Sequence, residues 1–157
     1  MVKTAVLGFG NPSRADDGIG VEVVHQLKQK LNNQSHDHVE VIDMGTSAFE
    51  MLYKLKEFDR MILVDGVIHS NEEVGTVFQL PEEAINTEPN KDLLVFLHGL
   101  KWDQAITYAR NMLPEEEFPK QIDVFLIAIE NTSFNTDISE EVKKGGLRCV
   151  NQILNQL

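Results

Sequence analysis

The chain has 157 residues and a formal net charge of -11, from 25 acids against 14 basic residues. That length fits one domain over residues 1–157, with a core large enough to need no staples, and its one cysteine, Cys149, excludes an intramolecular disulfide. The charge repels phosphate backbones and anionic lipid, so nucleic acid and membrane surfaces are excluded as partners in favour of a metal ion or a basic peptide.

Most of the acids need do no more than solvate the surface. No run approaches the roughly 20 apolar residues that cross a bilayer. The apolar stretch after Lys3 is short for a signal-peptide core and lacks a cleavage site. A soluble, cytoplasmic protein is expected.

In chain order, Thr4–Gly8 is a short apolar run that reads as a buried strand. Ile19, Val23, Val24, Leu27 and Leu31 recur at helical spacing. Residues 32–37 are polar and read as a loop. His38–Asp43 reads as a second strand. Ser47 and Glu50 have the spacing of a capping box, predicting a helix to about Phe58. Met61–Asp65 is a continuous apolar run ending in an acid, expected of a central strand covered on both faces. Gly75–Leu80 reads as an edge strand, and Pro81–Asp92 as a loop. Gln121–Ile129 is a further strand, and Ser139 caps a last helix with Glu140 and Glu141 in its first turn. Strands alternating with helices predict an α/β fold: a three-layer α/β/α sandwich around a mostly parallel twisted sheet of about five strands. Ligands of such sheets bind beyond the carboxyl ends of the strands.

Three segments carry residues suited to chemistry there. The first is Gly8-Phe-Gly-Asn-Pro-Ser-Arg-Ala-Asp-Asp-Gly18, between strand one and helix one. Its glycines suggest a dinucleotide loop, but Ser13 replaces the third glycine and Pro12 removes a donor. Asp16 and Asp17 would also repel a pyrophosphate at the helix start. One acid can cap the helix, which leaves the other for the crevice. The second is Asp65, at a strand end just before Gly66; its plain alternative is a turn residue. Asp43 closes strand two in the same way, with Gly45 as the turn former. The third is His98 in Leu97-His-Gly-Leu100, with His69 as a rival ligand. His25, His36 and His38 read as solvated, and Cys149 as core. Two carboxylates and an imidazole can hold a nickel or zinc-like ion and leave positions open for substrate.

Taken together, Gly8-Phe-Gly-Asn11, Asp16-Asp-Gly-Ile-Gly20, Asp43-Met-Gly-Thr46, Ile62-Leu-Val-Asp65 and His98-Gly-Leu100 resemble, in order and spacing, the signatures of nickel-iron hydrogenase maturation endopeptidases. The resemblance spans nearly the whole chain. It implies an α/β/α fold and removal of the C-terminal extension of a hydrogenase large-subunit precursor after nickel insertion. It maps the metal site onto Asp17, Asp65 and His98, and substrate recognition onto Asp43 and Thr46. Asp17 stands where the family often has Glu, and Met44 departs from the family's Asp-Gly-Gly-Thr. On this reading no metal is permanently bound. The ligands sense nickel presented by the substrate, zinc-like ions can substitute, and Asp17 or Asp65 is a candidate general base. A monomer is expected of a small acidic domain that docks a larger partner.

A receiver-like phosphoacceptor module is the alternative. It would place the acidic pair at the strand tip, whereas Asp16 lies eight residues beyond Gly8. It would also want a lysine closing the last strand, where Ile129 is followed by Glu130.

Overall fold

The computed structural model describes residues 2–32, 36–84 and 101–157. His98 and most of the loop expected over residues 81–92 lie outside the described residues.

Five strands form one sheet in the order β2-β1-β3-β5-β4. They are β1 (Thr4–Phe9), β2 (Val39–Gly45), β3 (Arg60–Val67), β4 (Val77–Pro81) and β5 (Gln121–Ala128). Every pairing is parallel except that of β4 with β5 at one edge, which is antiparallel. The central strands are the continuous apolar runs of the sequence, as burial on both faces requires: β1 is buried throughout, and Met61–Val64 of β3 is fully enclosed.

Helices α1 (Ile19–Asn32) and α4 (Glu140–Leu154) cover one face; α2 (Met51–Lys54) and α3 (Trp102–Met112) cover the other. Alternate residues of each strand feed two separate cores. Val6, Ile62, Val64, Phe125 and Ile127 pack under α1 and α4. Leu7, Met61, Leu63 and Val124 pack under α2 and α3. Helix α1 buries Ile19, Val23, Val24, Leu27 and Leu31, the stripe expected from spacing. Cys149 of α4 is fully buried, and that burial pushes its thiol up to about 12.

Two local expectations need correcting. The Ser47–Glu50 capping box does not form. The Ser47 hydroxyl instead accepts from the Phe49 amide at 3.3 Å, closing a turn before the helix begins. The helix is therefore short: Met51–Lys54 followed by a 3-10 turn, Leu55–Glu57, rather than one helix to Phe58. Ser139 does stand at the N-cap of α4 but makes no side-chain bond to it; its hydroxyl donates to Asp16 instead, at 2.9 Å.

Candidate active-site cleft

The chain runs from β1 out to β2 and then crosses back to β3 on the other side of β1. Connections leaving in opposite directions open a crevice beyond the carboxyl ends of β1 and β3. A cleft of about 230 Å³ lies there.

The loop after β1 supplies Asn11, Arg14 and Asp17 to this cleft, and β3 supplies Asp65. The turn after β2 supplies Gly45 and Thr46, and the start of α3 supplies Lys101 and Trp102. The first loop is drawn tightly over the sheet. Gly20 leaves room for this: a Cβ there would sit 2.2 Å from the Phe9 carbonyl oxygen and 2.6 Å from that of Val64. Gly10 adopts φ +145, and its own Cβ would meet the Asp17 carbonyl oxygen at 2.0 Å.

The two adjacent acids have different roles. Asp16 is 1% exposed and acts as a hub. One carboxylate oxygen accepts from the Ser139 amide (2.8 Å) and hydroxyl (2.9 Å), the other from the amides of Asn131 (3.1 Å) and Glu130 (3.4 Å). These bonds join the first loop to the β5–α4 connection. Neither acid caps α1: Arg14 stands at the N-cap of the 3-10 turn Ala15–Gly18 that leads into it, without a side-chain bond. Asp17 is only partly buried and lines the cleft, one oxygen accepting from the Asn11 amide at 3.1 Å.

Asp65 accepts from the Trp102 indole N–H at 2.9 Å and from the Gly66 amide at 2.8 Å. Burial nevertheless dominates. It lifts the carboxyl from 3.8 to about 7, against the lowering effect of those two bonds, with the nearby Asp17 charge adding to the rise and Lys101 opposing it. A carboxylate this poorly compensated is one that a cation would stabilise, and it can also exchange a proton near neutral pH.

Asp43 does not join them. It shares strand parity with Val39 and Val41, whose side chains pack under α1, whereas Asp65 shares parity with Met61 and Leu63 under α2 and α3. Asp43 accordingly turns to α1, where one oxygen pairs with His25 Nε2 at 3.0 Å and the other accepts from the Gly45 amide at 2.9 Å. His25 is thus a hydrogen-bond partner of Asp43 rather than merely solvated. Thr46 lines the cleft. His69 is exposed, has φ 57, and is not among the cleft residues. Among the described residues no three His, Cys, Asp or Glu side chains cluster as a metal site; His98 lies outside them.

Sequence reasoning passed over Trp102, Arg14 and Lys101. Trp102 carries a signal in hindsight: it is the single tryptophan, and a tryptophan buried at a helix start needs an acceptor for its N–H.

A family model described as hydrogenase maturation protease (HycI) matches residues 21–156. The chain belongs to the hydrogenase maturation protease family. The Escherichia coli hydrogenase 2 maturation protease is 32% identical over 84 residues, 54% of this chain and 50% of that protein, so the match spans about half the length of that relative. The coenzyme F420 hydrogenase subunit delta of Methanothermobacter thermautotrophicus is 29% identical over 160 residues, 97% of this chain and 92% of that one. The solved structure of the hydrogenase maturating endopeptidase HybD from Escherichia coli superposes with a TM-score of 0.78 at 24% identity, over 99% of this chain and 91% of that one, a likeness of fold. As a family member the chain is a protease with the family's α/β fold. The phosphoacceptor alternative falls. The acidic pair sits in the 3-10 turn beyond the strand tip, Asp16 is sealed by four donors, and β5 ends without a lysine.

Proposed function

We propose that this protease removes the C-terminal extension of a nickel-iron hydrogenase large-subunit precursor, and does so only once nickel has been inserted. The observation that carries the proposal is the meeting of Asp17 and Asp65 in one cleft at the chain reversal between β1 and β3. In this reading Asp17, Asp65 and His98 coordinate nickel that arrives on the substrate. The family motif gives His98 its part.

The chemistry of the two acids is suited to it. Two hard carboxylates held in a crevice, one of them short of compensation, gain most from a divalent ion and little from a neutral peptide. Affinity for the precursor then collapses when the ion is missing, which is the check on loading that such a protease needs. The ion can polarise the scissile carbonyl, while Asp65 or Asp17 takes a proton from the attacking water. The protease holds no metal of its own between turnovers, and zinc-like ions occupy the same ligands when supplied alone. It acts as a cytoplasmic monomer. Thr46 faces the substrate chain from the cleft wall; Asp43 supports that wall through the Gly45 turn.

Incubation with nickel-loaded and nickel-free precursor, followed by mass, tests this. A C-terminal peptide should be lost from the loaded form alone. Asp17→Ala, Asp65→Ala and His98→Ala should each cut processing by at least about 10-fold, since losing even the outer support of a metal ligand costs about 10–100-fold, while circular dichroism is unchanged. Processing of nickel-free precursor at the same rate, or normal rates in all three variants, would overturn the proposal.

A further inference from the structure

The cleft also holds two cations, Arg14 and Lys101. Among the described residues, neither has a carboxylate within 4.0 Å, although two carboxylates line the same walls of a chain with net charge -11. The arrangement of Arg14 is instead built from elsewhere. Its Nε donates to the Thr132 carbonyl at 3.1 Å, and its guanidinium lies over the Phe134 ring at 4.6 Å from the centroid. Phe134 is 64% exposed, on a loop held down by the Asp16 hub and by the Asn135 amide donating to the Ser13 carbonyl at 2.9 Å. Nε and one face of the guanidinium are thereby engaged, and among the described residues the outer Nη pair makes no hydrogen bond. Stacking also freezes much of the side chain's rotamer freedom before any ligand arrives.

We propose that Arg14, with Lys101 on the wall of the same cleft, is a substrate-anchoring site that takes a carboxylate side chain of the precursor, and that Phe134 is the platform that positions Arg14. The proposal rests on the reading of the cleft as the place where the precursor docks. Once an ion covers Asp17 and Asp65, the remaining fixed charges on the walls are positive, so the complementary group on the substrate is an anion. A planar fork with two free N–H donors suits a carboxylate in particular. Arg14 anchors the substrate without bonding to the reacting atoms, so its loss should act on binding more than on turnover.

The test uses the intact nickel-loaded precursor and separates KM from kcat. Arg14→Met should raise KM at least about tenfold, the worth of a charge-assisted pair of about 1.5–3 kcal/mol, with kcat within about twofold. Arg14→Lys should recover part of the loss. Phe134→Leu, which keeps an apolar side chain but removes the ring face, should raise KM by a smaller factor. Replacing acidic residues near the cleavage site of the precursor by their amides, one at a time, should identify one that raises KM for the unaltered protease and adds nothing to Arg14→Met. Titration of nickel alone into Arg14→Met should give binding at least as tight as in the unaltered protein. An unchanged KM in Arg14→Met, or full additivity with every acid-to-amide change, overturns the anchor. Equal losses in KM and kcat together with weaker nickel binding would make Arg14 a brace of the loop and overturn it too. Failure of the unaltered protease to cut any loaded precursor would instead count against the proposed function.

Discussion

Asp65 illustrates how one residue's surroundings set its chemistry. The unfolded chain releases its proton near 3.8, the folded one near 7. The native state therefore holds a proton that the unfolded state has lost throughout that window. The sign follows: the contribution is present at low pH and is lost as pH rises from about 4 to about 7. Discounted for its partial exposure, the effect is on the order of 2 kcal/mol. Denaturant unfolding of the metal-free protein across this range should show it as a steeper decline in the unaltered chain than in Asp65→Asn; parallel curves would refute the raised value. The adjacent pair Asp16 and Asp17 makes a related point. Identical side chains one residue apart divide the work, one closing four donors in the interior, the other facing the cleft.

At the scale of elements, the site depends on how closely α1 approaches the ends of β1 and β3. Gly20 sits where the helix meets both strands, and no side chain fits against the Phe9 and Val64 carbonyls. Gly20→Ala should cost about 3 kcal/mol, since backbone rather than a flexible side chain must move. It should also displace the loop bearing Asp17, so metal binding should fall together with the melting temperature. A variant of normal stability would show that the helix can slide at no cost. The same element logic explains Asp43 and Asp65. Both lie near the carboxyl end of a strand and both looked equivalent along the chain, yet parity with their strand neighbours sends them to opposite faces. That parity was readable from Val39-Glu-Val-Ile-Asp43, and only the assignment of α1 to one face was missing.

For the molecule as a whole, stability and chemistry sit at opposite ends of the sheet. At the amino ends of β3 and β5, Arg60 pairs with Asp123 at 3.0 Å and donates to the Gln156 carbonyl at 3.0 Å and to its side-chain oxygen at 2.9 Å. This clasp ties the two strands to the C-terminal turn, and both charged side chains are largely buried, 14% and 12% exposed. Arg60→Met leaves Asp123 buried without its cation and should cost about 3 kcal/mol, read as a lower denaturation midpoint. Processing by the folded fraction should be unaffected, because the cleft lies at the carboxyl ends. Loss of processing at full folding would show that the two ends are coupled.

Much of this protein could be read along the chain. The apolar runs Thr4–Gly8 and Met61–Asp65, the helical stripe from Ile19 and the edge strand near Gly75–Leu80 dictated the layers, because burial on one face or two leaves its period in the sequence. The ordered motifs pointed to the family and to the acids at two strand ends. What the chain alone left open was decided by contacts between distant segments. Asp16 was separated from Asp17 by Ser139 and Asn131, more than a hundred positions away. Asp65 was made a weak acid by burial and was given Trp102 as a partner. Arg14 was set on Phe134. Periodicity records which face a residue takes; it does not record what will lie against that face, and the proton affinity and partners of a carboxylate depend on just that.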